Sequence, residues 1–314
     1  MVEKIRIQNL VTNKSIVIGL LDRPFILDSV DWDAPSVSME TYRVPFQIGS
    51  TVAGATVGTR KPSITGYVVA TESSLTDKIK TWNEYYGALE QQVEDSKQVL
   101  DTVISIYQDV LIEANGYFLK ARPTQPPKYS NNSSKNNEVM CLFQLEFECF
   151  SPMFYSDSKL VNLASISEKL TFPLVLPPEG AVFGEIFKQK SVPIANNGSS
   201  NAGCTIKITA VGGVVKNPKV YNVNTNDFIA FEGISLNDGD YITVTTTVGE
   251  ENAILHRVSD SSEISIVGYT TKGSKYIQIE QGTNYYAYDV DDQYLNSIEV
   301  SIEFTEQFFN IRGM

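Results

Sequence analysis

Over residues 215–249 the chain reads KNPKVYNVNTNDFIAFEG and then ISLNDGDYITVTTTVG, short strands punctuated by turns with no room for a helix. Val220, Phe228, Ile229, Phe231, Ile242 and Val244 stand among polar neighbours at strand-like spacing. Asn-Pro, Asn-Asp and Asn-Asp-Gly-Asp supply the residues that tolerate tight turns between them. In Ile242-Thr243-Val244-Thr245 the β-branched side chains alternate apolar with hydroxyl, which suits an antiparallel strand with one wet face. A chain built this way folds into a sandwich or barrel, and its vocabulary is that of a structural module rather than an enzyme.

The first half is also strand-rich but contains one helical segment. IRIQNLVTNKSIVIG alternates like a hairpin turning at Thr12-Asn13-Lys14, and PFILDSVDW continues the strand pattern. Residues 34–59 mix Pro35, Pro45, Gly49, Gly54 and Gly58, which predicts irregular turns or one extended arm; KPSITGYVVA then returns to strand. Leu75, Ile79, Trp82, Tyr86, Leu89, Val93 and Leu100 recur every three or four residues behind an N-cap at Ser73 or Ser74. That predicts a helix near 74–100, whole or broken near Glu94-Asp95-Ser96, with its stripe against a sheet. TVISIYQ, ANGYFLKARP and VMCLFQLEFECF read as three strands, with Asn115-Gly116 at a tight turn.

With 314 residues there is length for two domains, and 42% hydrophobic content is that of a globular protein. No apolar run approaches the ~20 residues a bilayer-spanning helix needs, and Met1-Val-Glu-Lys-Ile lacks the basic and apolar regions of a secretory signal, so the chain is expected in the cytosol of the cell that makes it. Its net charge of −12 divides into −4 over 1–155 and −8 over 156–314, with basic residues scattered singly or in pairs such as Arg60-Lys61. That pattern argues against nucleic-acid binding, which needs clustered Lys and Arg. Cys141, Cys149 and Cys204 have neither CxxC spacing nor histidine partners. Cys141 and Cys149 share a strand face with Phe143, Leu145 and Phe147, as small core residues do.

Chemistry is sparsely signalled. His256, the one histidine, has no nucleophile beside it and no HxxxH pattern, and neither GxxxxGK[ST] nor GxGxxG occurs. Glu146 and Glu148 alternate in FQLEFEC and mark the wet face of a strand. Asp289, Asp291 and Asp292 in YDVDDQY lack the Gly and distal Glu of a calcium loop and read as a solvated turn. Tyr285, Tyr286 and Tyr288 are candidate glycan contacts, since aromatic faces bind sugar rings by apolar contact. Trp82 falls on the helical stripe, and Trp32 in DWD suits either an exposed position or a packing staple. No catalytic residue, metal site or cofactor is expected.

One resemblance carries further. NNG at 196–198, NPKV at 217–220, NTNDFIAF, LNDGD with its following strand, and the closing strand 298–304 before FFNIRG resemble the distal tail proteins of long-tailed bacteriophages. The order of strands, one helix and strands, ending in SPMFY at 151–155, is similar to that family's N-terminal half. The resemblance implies a mainly β chain. Its N-terminal β-sandwich or barrel-like domain, 1–155, would contain one long α-helix and form the ring; a linker at 156–190 would lead to a galectin-like antiparallel β-sandwich at 191–314. It implies a virion protein at the distal end of the tail, assembled in the host cytoplasm. There it would be a homohexameric hub joining the major tail tube protein to the tail-associated tip protein, with tape-measure protein or DNA in the lumen and receptor-binding or baseplate proteins at the periphery. Neither a membrane nor sequence-specific nucleic acid enters that set of partners. A carbohydrate-binding adhesion module is the alternative. Tyr42 and Phe46 in 34–59, and Tyr129 in the Pro-, Asn- and Ser-rich 124–138, are the expected contacts to a neighbouring subunit or the tube.

Overall fold

The computed structural model describes residues 2–71, 82–130, 140–168, 184–188, 191–291 and 297–311. It divides into two compact units: Met1–Ser156 with Phe308–Met314, and Asp157–Gln307.

The first unit is built on β1 (Lys4–Asn9), β2 (Ser15–Gly19), β3 (Phe25–Asp31), β4 (Val37–Tyr42), β5 (Thr51–Val57), β6 (Ser63–Val69), α1 (Trp82–Val103), β7 (Val110–Ala114), β8 (Tyr117–Pro123), β9 (Lys128–Ser130) and β10 (Met140–Glu148). Among the described residues seven strands follow one another in the order β8-β7-β1-β2-β3-β6-β10, and β10 returns to β8 through Phe147↔Pro123 and Glu148↔Arg122. That closure makes a barrel-like sheet. Strict alternation fills it: Ile5 and Ile7, Ile16 and Ile18, Ile64 and Val68, and Phe143, Leu145 and Phe147 face one core. Cys141 and Cys149 share that face, and all three cysteines are buried with no disulfide between them. The tight turns fall where expected, with Asn13 at φ 57°, Asn115 at 52° and Gly116 at 76°.

The helix differs in extent from the expectation. Its described part runs unbroken past Glu94-Asp95-Ser96 to Val103, while Ser73, Ser74, Leu75 and Ile79 lie outside the described residues. Leu89, Val93, Leu100 and Val103 are buried in the core shared with the barrel, and Tyr85 rather than Tyr86 packs against it. TVISIYQ is therefore not a strand: Thr102 and Val103 end the helix, and the Ile104 amide donates to the Leu100 carbonyl. The Val103 carbonyl receives a hydrogen bond from the buried Asn9 side chain at 3.0 Å. Burial of an apolar stripe outweighs the weaker β preference of the branched residues.

The second unit carries β11 (Phe154–Glu168, which starts in the first unit), β12 (Gly184–Lys188), β13 (Val192–Asn196), β14 (Cys204–Ala210), β15 (Val215–Lys216), β16 (Lys219–Asn222), β17 (Phe228–Ala230), β18 (Ser235–Leu236), β19 (Tyr241–Thr245), β20 (Asn252–His256), β21 (Glu263–Ser265), β22 (Gly282–Asp289) and β23 (Ile298–Phe308). One sheet runs β21-β20-β19-β14-β23-β11 with β12 on β11, and a second runs β13-β22-β16-β17. Ile206, Ile208, Ile242, Val244, Val300 and Ile302 from the first sheet share a core with Ile194, Val220, Ile229 and Tyr286 from the second, as two facing sheets require. The 156–190 stretch opens as strand rather than as a Pro-rich linker; its LTFPLVLPPEG lies outside the described residues. Residues 308–311 belong with the first unit, where Phe308 meets Tyr117 edge to face at 5.2 Å and Ile311 is buried.

Candidate assembly surface

The surface that stands out begins at the end of β3. Trp32 is 4% exposed and meets the Phe154 ring edge to face at 5.3 Å. Beside it, Arg60 is wholly buried without a carboxylate partner in contact. Its guanidinium instead donates to four main-chain carbonyls, those of Pro152 at 2.8 Å, Trp32 at 3.3 Å, Asp33 at 3.0 Å and Phe309 at 2.5 Å. Its carbon centre lies 4.6 Å from the centre of the Phe154 ring. Burial pulls the Arg60 pKa below its ordinary value, while the nearby Cys149 and Asp33 act in the opposite sense. Asp33, at φ 51°, accepts from the Lys61 amide at 3.1 Å and from the Ala34 amide at 2.8 Å. The Gly58 amide donates to Ser36 at 2.7 Å, and a Cβ at Gly58 would come within 2.4 Å of the Ser36 Oγ. The two ends of segment 34–59 are thus clamped together.

From that base β4 and β5 project as an antiparallel hairpin that pairs only with itself among the described residues. Every residue of β4 is exposed, and of β5 all but Gly54. A two-stranded ribbon with neither face covered is marginal in water, so its side chains bear on what it meets. Val37, Met39, Val52 and Val57 are exposed along its length, and Phe46 and Ile48 at its tip are 104% and 102% exposed. Phe46 takes φ 68°, which a bulky residue adopts only where the turn demands it. The turn is held by the Gln47 amide on the Val44 carbonyl at 3.0 Å and the Gln47 side chain on Thr51 at 2.8 Å. The irregular-or-extended expectation for 34–59 resolves as an arm, with Tyr42 at the outer end of β4 and Phe46 at the tip.

Tyr129 is placed differently. It sits in β9 opposite Phe143 and packs half-buried on the first unit's core, its hydroxyl donating to the Asp101 carboxylate at 2.8 Å. Burial and that bond raise its pKa. It anchors α1 to the barrel and is not part of an arm; residues 131–138 lie outside the described residues.

The three tyrosines of the second unit do not make one platform either. Tyr285 is exposed, but Tyr286 is 0% exposed, its hydroxyl donating to the Gln278 carbonyl at 2.8 Å, and Tyr288 packs half-buried on the core. Strand alternation on β22 sends neighbours to opposite faces, so Tyr286 offers no face to a sugar. His256 stacks on Tyr241 at 4.4 Å with Glu263 3.3 Å from its Nδ1. Asn217 reaches Asp291 at 3.4 Å, Asp292 lies outside the described residues, and among those described no three His, Cys, Asp or Glu converge as metal ligands. Only the backbone of Trp82 is described.

No protein-family model and no curated protein matches the sequence. Among solved structures, SPP1 Dit (gp 19.1), from a hub adsorption apparatus in phages infecting Gram-positive bacteria, superposes at TM-score 0.60 and 11% identity, covering 97% of this chain and 99% of that one. The fold is that of a distal tail (Dit) protein. A chain from the phage P2 baseplate in its activated conformation with calcium aligns over 96% of this chain and 98% of its own, at 10% identity and TM-score 0.43. The Dit fold is mainly β with one helix, as the resemblance implied. Arg60, which clamps the arm of this Dit fold, had no signal in the sequence beyond a basic pair, because its partners are carbonyls contributed by three separate segments.

Proposed function

We propose that this chain is a structural hub at the distal end of a phage tail, and that its first unit forms a homohexameric ring. The observation that carries the reading is the likeness to SPP1 Dit over 97% of this chain and 99% of that one. The bare arm supports it, since a ribbon this exposed and apolar suits a contact made in assembly. Copies of an acidic chain associate best through a segment without net charge, and 37–57 holds one glutamate and one arginine in a chain of −12. Ring contacts are heterologous and close by rotation. In this reading the tail tube protein meets one face, the tail-associated tip protein the other, receptor-binding or baseplate proteins the periphery, and the tape-measure protein the lumen. The hub has no chemistry of its own.

The test is the mass of the purified protein by light scattering, with negative-stain imaging. A ring of about six times the 34.8 kDa chain is the expected result; a monomer at every concentration overturns the reading.

A further inference from the structure

The arm has a matching receptor on the first unit itself. β3 pairs with β2 through one position, Gly19↔Ile26, in parallel, so residues 27–31 run past the end of β2 with no strand on that side among the described residues. A bulge between Leu27 and Ser29 breaks the register with β6 there, as bulges do where a strand edge is re-aimed. Beside this open edge lies a cleft of about 400 Å³ walled by Val2, Leu20, Leu27 and Trp32 and rimmed by Asp28 and Asp31. Both aspartates are exposed. The Trp32 indole nitrogen is buried with no hydrogen-bond acceptor, although buried indole N–H groups ordinarily have one.

The arm tip carries the complementary chemistry. Phe46 and Ile48 are fully exposed apolar groups, and Arg43 beside them is a cation with no ion partner among the described residues. The tip does not fill its own cleft: Phe46 and Ile48 stand fully exposed while the base of the arm is clamped by Arg60. A copy with a free tip and a free cleft is self-complementary head to tail.

We propose that the arm of one copy seats on the open β3 edge of a second copy, with Phe46 and Ile48 in the cleft and Arg43 beside Asp28 and Asp31. Incoming main chain then pairs the free strand edge. The pairing rests on the ring reading and names the contact that makes the ring.

The test mixes two variants of the full chain, one with Phe46→Cys and the other with Leu20→Cys, under mild oxidation. The native cysteines do not interfere: burial pushes Cys149 up to about 12 and Cys204 up to about 11, and raises Cys141. A disulfide-linked product of two chain masses from the mixture, and from neither variant alone, is expected. Arg43→Glu should weaken assembly at least about tenfold, and Asp31→Lys in the same chain should restore it. A ring that survives both Phe46→Asp and Arg43→Glu overturns the pairing and leaves the hub standing; a wild-type chain that is monomeric throughout overturns both.

Discussion

Arg60 donates to the Phe309 carbonyl at 2.5 Å across 249 residues of sequence. The same guanidinium holds the carbonyls of Trp32 and Asp33 at the arm's base. One side chain thus fixes both the returning C-terminal segment and the root of the hairpin. Substituting Arg60 by Met should lower the stability of the first unit by about 1–3 kcal/mol, the cost of leaving buried carbonyls without their donor. Lys should recover only part, because an ammonium cannot fork to the same acceptors. Urea unfolding of the three proteins measures this.

Gly66 predicts a second, local weakness. A Cβ there would lie 2.5 Å from the Ile26 carbonyl and 2.6 Å from the Phe143 ring, which is fully buried and edge to face with Phe25 at 6.3 Å. Gly66→Ala should cost about 1–3 kcal/mol, as overpacking does, and shift the urea midpoint down without changing the slope.

The second unit should carry a pH dependence through Asp240. Burial acts to raise its pKa, but bonds from the Val258 amide at 2.9 Å, Arg257 at 2.7 Å and the Asn237 amide at 3.0 Å hold it below the ordinary carboxylate value. Its folded value is therefore below its unfolded value of about 3.9. The stabilisation is complete above that value and disappears as pH falls through the lower, folded one. Asp240→Asn should cost about 1–3 kcal/mol at neutral pH and flatten the loss of stability on acidification, as read by thermal melts across pH.

Trypsin gives a direct view of the arm. Arg43 sits at the tip of an exposed ribbon, where nicking concentrates. Early cleavage after Arg43 is expected in dilute protein and slower cleavage under assembling conditions; equal rates in the two would mean that assembly leaves the arm uncovered. Peptide mass mapping distinguishes them.

Apart from TVISIYQ, read as a strand but closing α1, the strand pattern, the turns and the helical stripe are legible along the chain, because period-two and 3.6-residue spacing and the backbone freedom of Asn and Gly are local properties. Asn115-Gly116, the shared face of Cys141 in β10 and Cys149 just beyond it, and the alternation in Tyr241–Thr245 are all legible from neighbours alone. An arm within 34–59 was legible as prolines and glycines without a core pattern. Tertiary structure decided the rest. Which tyrosine of β22 points inward depends on which sheet face finds a partner, and Tyr129 became a helix anchor because α1 brought Asp101 within 2.8 Å. The end of that helix was set by Asn9, 94 residues away, and the arm's root by Arg60 with carbonyls from distant segments. Burial and hydrogen bonding of this kind join residues far apart in the chain, so only the folded molecule brings them together.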